Sequence, residues 1–110
     1  MGLKNKAVEL ADALKATVEF AELKQSKAVI DRNRSLKSEV EDLKRKQSTL
    51  YSGRISAKEA ESRLVEIDKA FKQLSLIPEF NRYLETSGKF NELLNDTFKQ
   101  INESIEAGLS

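Results

Sequence analysis

Glu39 and Asp42 stand three residues apart, as do Glu19 and Glu22. On a helix that spacing puts both carboxylates on one face, a turn apart. Paired carboxylates can share general acid–base work or hold a divalent cation. The rest of the sequence supplies no companion for either task. There is no histidine, so the usual proton shuttle near neutral pH is missing. There is no cysteine, which excludes thiol nucleophiles, thiolate metal ligands and disulfides. Zinc sites built on these ligands and Ser-His-Asp triads are excluded with them. No apolar run surrounds either acid pair to raise a carboxylate pKa. Both pairs therefore read as solvated helix faces, and the sequence points to no catalytic residue, no metal ligand and no cofactor.

A second group could contact phosphate. Arg32, Arg34, Lys37, Lys44, Arg45 and Lys46 cluster in the first half of the chain, where Lys24 to Arg54 holds nine Lys/Arg against four Asp/Glu. Such a stripe can bind RNA through its backbone charge. Glu39, Glu41 and Asp42 interleave with it, and the nearest aromatic able to stack a base is Tyr51. Direct RNA binding through these six residues is the alternative functional reading; the other is an ordinary charged helix face.

A third group sits in the C-terminal third. From Phe80, the residues Leu84, Ser87, Asn91, Leu94, Phe98, Ile101 and Ile105 recur at spacings of four and three. This is the signature of one face of a helix. Only Ser87 and Asn91 are polar, and Tyr83, Phe90 and Leu93 widen the seam. Gly88 lies inside it, although glycine in a helix interior costs about 1 kcal/mol relative to alanine. Small residues there point to close approach by another helix or to a kink. Asn91, if buried, would fix a packing register. Tyr83, Ser87, Gly88, Asn91, Leu94, Phe98 and Ile101 are thus the candidate partner interface.

The elements that must carry these groups are all helical. Leu3, Ala7, Leu10 and Leu14 predict a short helix from about Lys4 to Leu14. Thr17 is placed to cap the next, with Glu19 in its first turn and Phe20, Leu23 and Ile30 on its apolar stripe. Asp31 to Ser35 lacks any apolar residue and predicts a break or kink, with Asn33 or Ser35 capping the next helix. Leu36, Val40, Leu43, Gln47 and Leu50 continue the helical spacing to Tyr51. Gly53 is the best helix stop, and Ser56 with Glu59 makes a capping box. Ala57, Ala60, Leu64, Ile67, Phe71 and Leu74 form the next seam. Pro78 ends that helix and fits the first turn of the last one, which is expected to run to about Ala107 and stop at Gly108. The two last helices, joined by a short turn, are expected to pack antiparallel. The last helix outruns its neighbour, so part of its seam needs cover from the Leu36–Leu50 helix and from a partner.

Length and composition agree with this. The 110 residues suit one helical domain, 1–110, and the 39% hydrophobic content suits a modest core with no large enclosed pocket. One proline and four glycines argue against a β-rich fold. A net charge of +1 creates no field calling for nucleic acid or membrane. No apolar run reaches the roughly 20 residues of a membrane span, and a signal-peptide core is missing, which makes the cytoplasm the expected location.

Placed in this order, the signals resemble the YlbF/YmcA family of small bacterial helical proteins, with its YheA branch. The resemblance spans Ala7 to Ile105. It rests on Leu10-Ala11-Asp12-Ala13-Leu14, the Glu19-Phe20 helix start, the polar break opening at Asp31 and Gly53 before a capped helix. Its last part is Leu74-x-x-x-Pro78-x-Phe80-x-x-Tyr83 with Phe90, Leu93-Leu94, Phe98, Ile101 and Ile105. The resemblance implies an all-α antiparallel bundle of four to five helices with a long C-terminal helix. It implies a regulatory protein and not an enzyme, working in protein complexes that control competence, sporulation and biofilm formation. Some relatives are implicated in mRNA processing, and some assemblies hold iron–sulfur clusters through cysteines that this chain lacks. The expected partner is protein: a second copy, or related helical proteins in a hetero-complex.

Overall fold

The computed structural model describes residues 2–50, 53 and 55–109. Among the described residues every regular element is an α-helix: α1 (Gly2–Lys15), α2 (Val18–Arg32), α3 (Arg34–Leu50), α4 (Ala57–Leu74) and α5 (Pro78–Leu109). The expected all-α architecture of helices ending in one long helix is what the chain adopts.

Local chemistry sets the boundaries. Between α1 and α2, the Phe20 amide donates to Thr17 Oγ1 at 3.2 Å, so Thr17 caps α2. The break after Arg32 is real, and of its two candidate caps Asn33 serves: its Oδ1 accepts from the Leu36 amide at 3.1 Å. α3 is described to Leu50; the expected extension to Tyr51 lies outside the described residues. Gly53 adopts φ +74°, the left-handed region where a Cβ is penalised. Ser56 then accepts from the Glu59 amide at 3.2 Å and opens α4.

The turn at Pro78 is tightly bonded. Ile77 O accepts from the amides of Phe80 and Asn81 at 3.1 Å each. Pro78 sits just past this cap, where a missing N–H is no loss. Asn81 Nδ2 reaches back to Ser75 O at 2.6 Å, and the rings of Phe71 and Phe80 meet edge to face at 5.8 Å. At the other end, Gly108 does not stop α5, which runs on to Leu109. A glycine biases a helix by about 1 kcal/mol and does not forbid it.

The chain divides into two compact units, one made of the chain up to Ser26 with the chain from Tyr83 onward, the other of Lys27–Arg82. In the Lys27–Arg82 unit, α3 packs on α4. Glu39, Asp42, Leu43 and Lys46 of α3 line one groove together with Ala70, Gln73 and Leu74 of α4. Ile30, Leu36, Val40, Leu43, Ile67, Leu74 and Phe80 form its core, each no more than 9% exposed. The α4 seam is only partly used: Ile67 and Leu74 are buried, whereas Leu64 and Phe71 are exposed. The other unit is built differently. α5 beyond Tyr83 pairs with α2. Phe20 meets Phe90 with ring centroids 5.4 Å apart and Ser26 meets Thr86, so these two helices run antiparallel.

Candidate functional site

α5 carries two faces side by side. One is covered. Thr86 is fully buried, and Tyr83, Phe90, Leu93 and Thr97 beside it are half-buried. These residues recur every three or four positions, so they form one stripe. Thr86 Oγ1 lies 2.6 Å from Ser26 Oγ, while Ser26 Oγ also approaches Leu23 O at 3.0 Å and Thr86 Oγ1 approaches Tyr83 O at 3.1 Å. Two hydroxyls carry two protons, so they satisfy two of these three contacts at a time. The 2.6 Å contact needs a proton in it, and whichever residue donates across the helices gives up the bond to its own backbone.

The second face lies about a quarter turn away round α5. It carries most of the seam read from the sequence, and it is not covered. Asn91 is exposed, so it does not pin the register; the Ser26–Thr86 contact does. Phe98 is 52% and Ile105 59% exposed, and Ile101 is also open. Ser87 and Leu94 are half-buried, at the border with the covered face. Gly88 receives no neighbour within its own chain: a Cβ built there meets nothing within 4 Å. Of the seven expected interface residues, Ser87, Gly88, Asn91, Leu94, Phe98 and Ile101 fall on this open face or its edge. Tyr83 falls on the covered one, where its carbonyl faces Thr86.

The contrast between the two units is sharp. Every buried apolar side chain among the described residues belongs to the Lys27–Arg82 unit. The unit that holds α1 and most of α5 buries only the two hydroxyl residues, Ser26 and Thr86. α1 buries nothing, with Leu3 91% and Val8 55% exposed. An apolar helix face normally gains about 1.5–3 kcal/mol per large side chain on burial, and here that gain is only partly realised.

The remaining candidates are dispersed. Asp42 pairs with Arg45 at 3.7 Å and with Lys46 at 3.5 Å, which offsets two of the six basic residues. Glu41 is exposed among the others. Arg32 ends α2 and Arg34 opens α3, on either side of Asn33. Glu39 and Asp42 border a groove of ≈ 230 Å³ between α3 and α4, with Leu43, Lys46, Ala70 and Gln73. Among the described residues no three Asp or Glu side chains converge as a metal site would require. No described helix is long and apolar enough to cross a membrane.

Sequence reasoning missed Ser26 and Thr86. The signal was present: Tyr83, Thr86, Phe90, Leu93 and Thr97 form a second stripe at spacings of three and four. Its two threonines hid it beside the more apolar series.

The family model described as control of competence regulator ComK, YlbF/YmcA, matches residues 3–106. A UPF0342 protein of Caldicellulosiruptor bescii is 34% identical over 101 residues, covering 91% of this chain and 85% of that protein. A UPF0342 protein of Caldicellulosiruptor saccharolyticus is also 34% identical, over 91% of this chain and 84% of its own. No solved structure matches.

Proposed function

We propose that this chain, which belongs to the YlbF/YmcA family, is a non-enzymatic cytoplasmic regulator that acts by binding protein through the open face of α5. The observation that carries this reading is the unit of α1 and α5 that buries no apolar side chain fully. Half a core of this kind is what an interface looks like before its partner arrives. The family description, control of the competence regulator ComK, supplies the regulatory context. The missing histidine and cysteine remove the side chains most catalysis draws on. The partner is a second copy or a related helical protein.

Phe98→Glu tests this. Phe98 is 52% exposed, so a carboxylate there stays solvated and the helical circular dichroism is expected to persist. Affinity capture from the native cell, quantified by mass spectrometry, should recover partners or further copies with the wild-type chain and lose them with the variant. Equal recovery by both proteins, or a wild-type chain that is monomeric and recovers nothing, overturns the reading.

A further inference from the structure

The open face of α5 is uncharged along its whole length. Its midline repeats every seventh residue, at Leu84, Asn91, Phe98 and Ile105. Ser87, Leu94 and Ile101 flank it on one side, and Gly88, Asn95 and Asn102 on the other. In a chain with 34% charged residues these ten positions would carry about three charges, yet they carry none, and charge depletion marks the centre of protein interfaces. None of the ten is buried. The stretch is about 30 Å long at 1.5 Å per residue.

The side chains change size along it. Toward the N-terminal end stand the small or polar Ser87, Gly88 and Asn91, and toward the C-terminal end the bulky Phe98, Ile101 and Ile105. Resting on the reading of this face as an interface, the geometry points to a second copy of this chain as its occupant, with the two α5 helices antiparallel about a two-fold axis between Leu94 and Asn95.

In that arrangement Asn91 and Ser87 each receive a large side chain. Asn91 faces the partner's Phe98 and Leu84 faces the partner's Ile105 along the midline. A two-fold axis brings each flank against its own copy. Ser87 therefore meets the partner's Ile101, and Gly88 meets the partner's Asn102. Leu94 packs on its own counterpart at the axis. Asn95 does likewise, and its amide both donates and accepts, so it is complementary to itself. The pairing explains the glycine: nothing within its own chain approaches Gly88, but a second helix does.

A parallel pair is worse on two counts. It sets Phe98 and Ile105 against their own copies along the midline and leaves a gap where Ser87 meets the partner's Gly88. It also aligns the two helix dipoles.

Because the chain has no cysteine, single cysteines report the register cleanly. Gly88→Cys and Asn102→Cys are made separately, one with an affinity tag, since both sites are exposed. After mild oxidation, each variant alone and an equimolar mixture are run on non-reducing gels, beside light scattering of the wild-type chain. A dimeric wild type, with cross-linking in the mixture and little in either variant alone, is the expected result. Self-cross-linking of a third variant, Asn91→Cys, a midline position that meets its own copy only in a parallel pair, overturns the antiparallel assignment, although the face remains an interface. A wild-type chain that is monomeric at tens of micromolar overturns the second copy as occupant; the Phe98→Glu capture then decides whether the face binds a different protein.

Discussion

Ser26 Oγ and Thr86 Oγ1 lie 2.6 Å apart, sixty residues apart in sequence and both buried. They are the polar clasp between α2 and α5, and each stands at the edge of its unit, within a few residues of the Lys27–Arg82 segment along the chain. A buried hydroxyl pair contributes modest stability, and a slipped register would lose the bond between the two helices.

Each hydroxyl also has a backbone carbonyl to fall back on, so removing one does not orphan the other. Thr86→Val, which keeps the shape, is expected to cost about 1 kcal/mol. Ser26→Ala should cost about the same. The double variant should cost clearly less than the sum of the two, with a coupling of about 1 kcal/mol. Urea denaturation of the four proteins measures this, and additive losses would contradict the shared bond.

Gly88→Ala separates folding from association. Within one chain the methyl group has open space, so at protein concentrations low enough to suppress association the variant should be more stable by up to about 1 kcal/mol. Destabilisation under the same dilution would mean that α5 needs glycine for its own fold.

The caps differ in surroundings and not in kind. Asn33→Ala removes the acceptor for the Leu36 amide and should cost about 1 kcal/mol, as should Ser56→Ala at the start of α4. Asn33→Asp should retain most of the stability, since a carboxylate accepts the same bond. Thermal denaturation followed by circular dichroism checks all three.

Core truncation should sort the two units. Leu43→Ala and Leu74→Ala, at 5% and 3% exposure, should each cost about 2–5 kcal/mol. Leu109→Ala, on a side chain 83% exposed, should change folding by less than about 0.5 kcal/mol. A large loss at Leu109 would mean that its side chain is covered in solution.

Local residue chemistry was enough to place the helices. Thr17, Asn33, Ser56 and Pro78 act within a few residues of themselves, so caps and breaks could be read before any packing was known. The absence of His and Cys likewise narrowed the chemistry without reference to shape. Gly108 marks the limit of such reading, because one weak bias did not end a long helix.

Which faces meet was decided only in three dimensions. Periodicity shows that α5 has an apolar face, but Thr86, Phe90 and Leu93 lie a quarter turn from Asn91 and Phe98, and both stripes have helical spacing. α2 covers the first because Phe20 and Ser26 are there to meet Phe90 and Thr86. Within the Lys27–Arg82 unit, α4 packs on α3. Helix pairing is a competition between distant surfaces, and its outcome here leaves the second stripe of α5, from Leu84 to Ile105, facing outward.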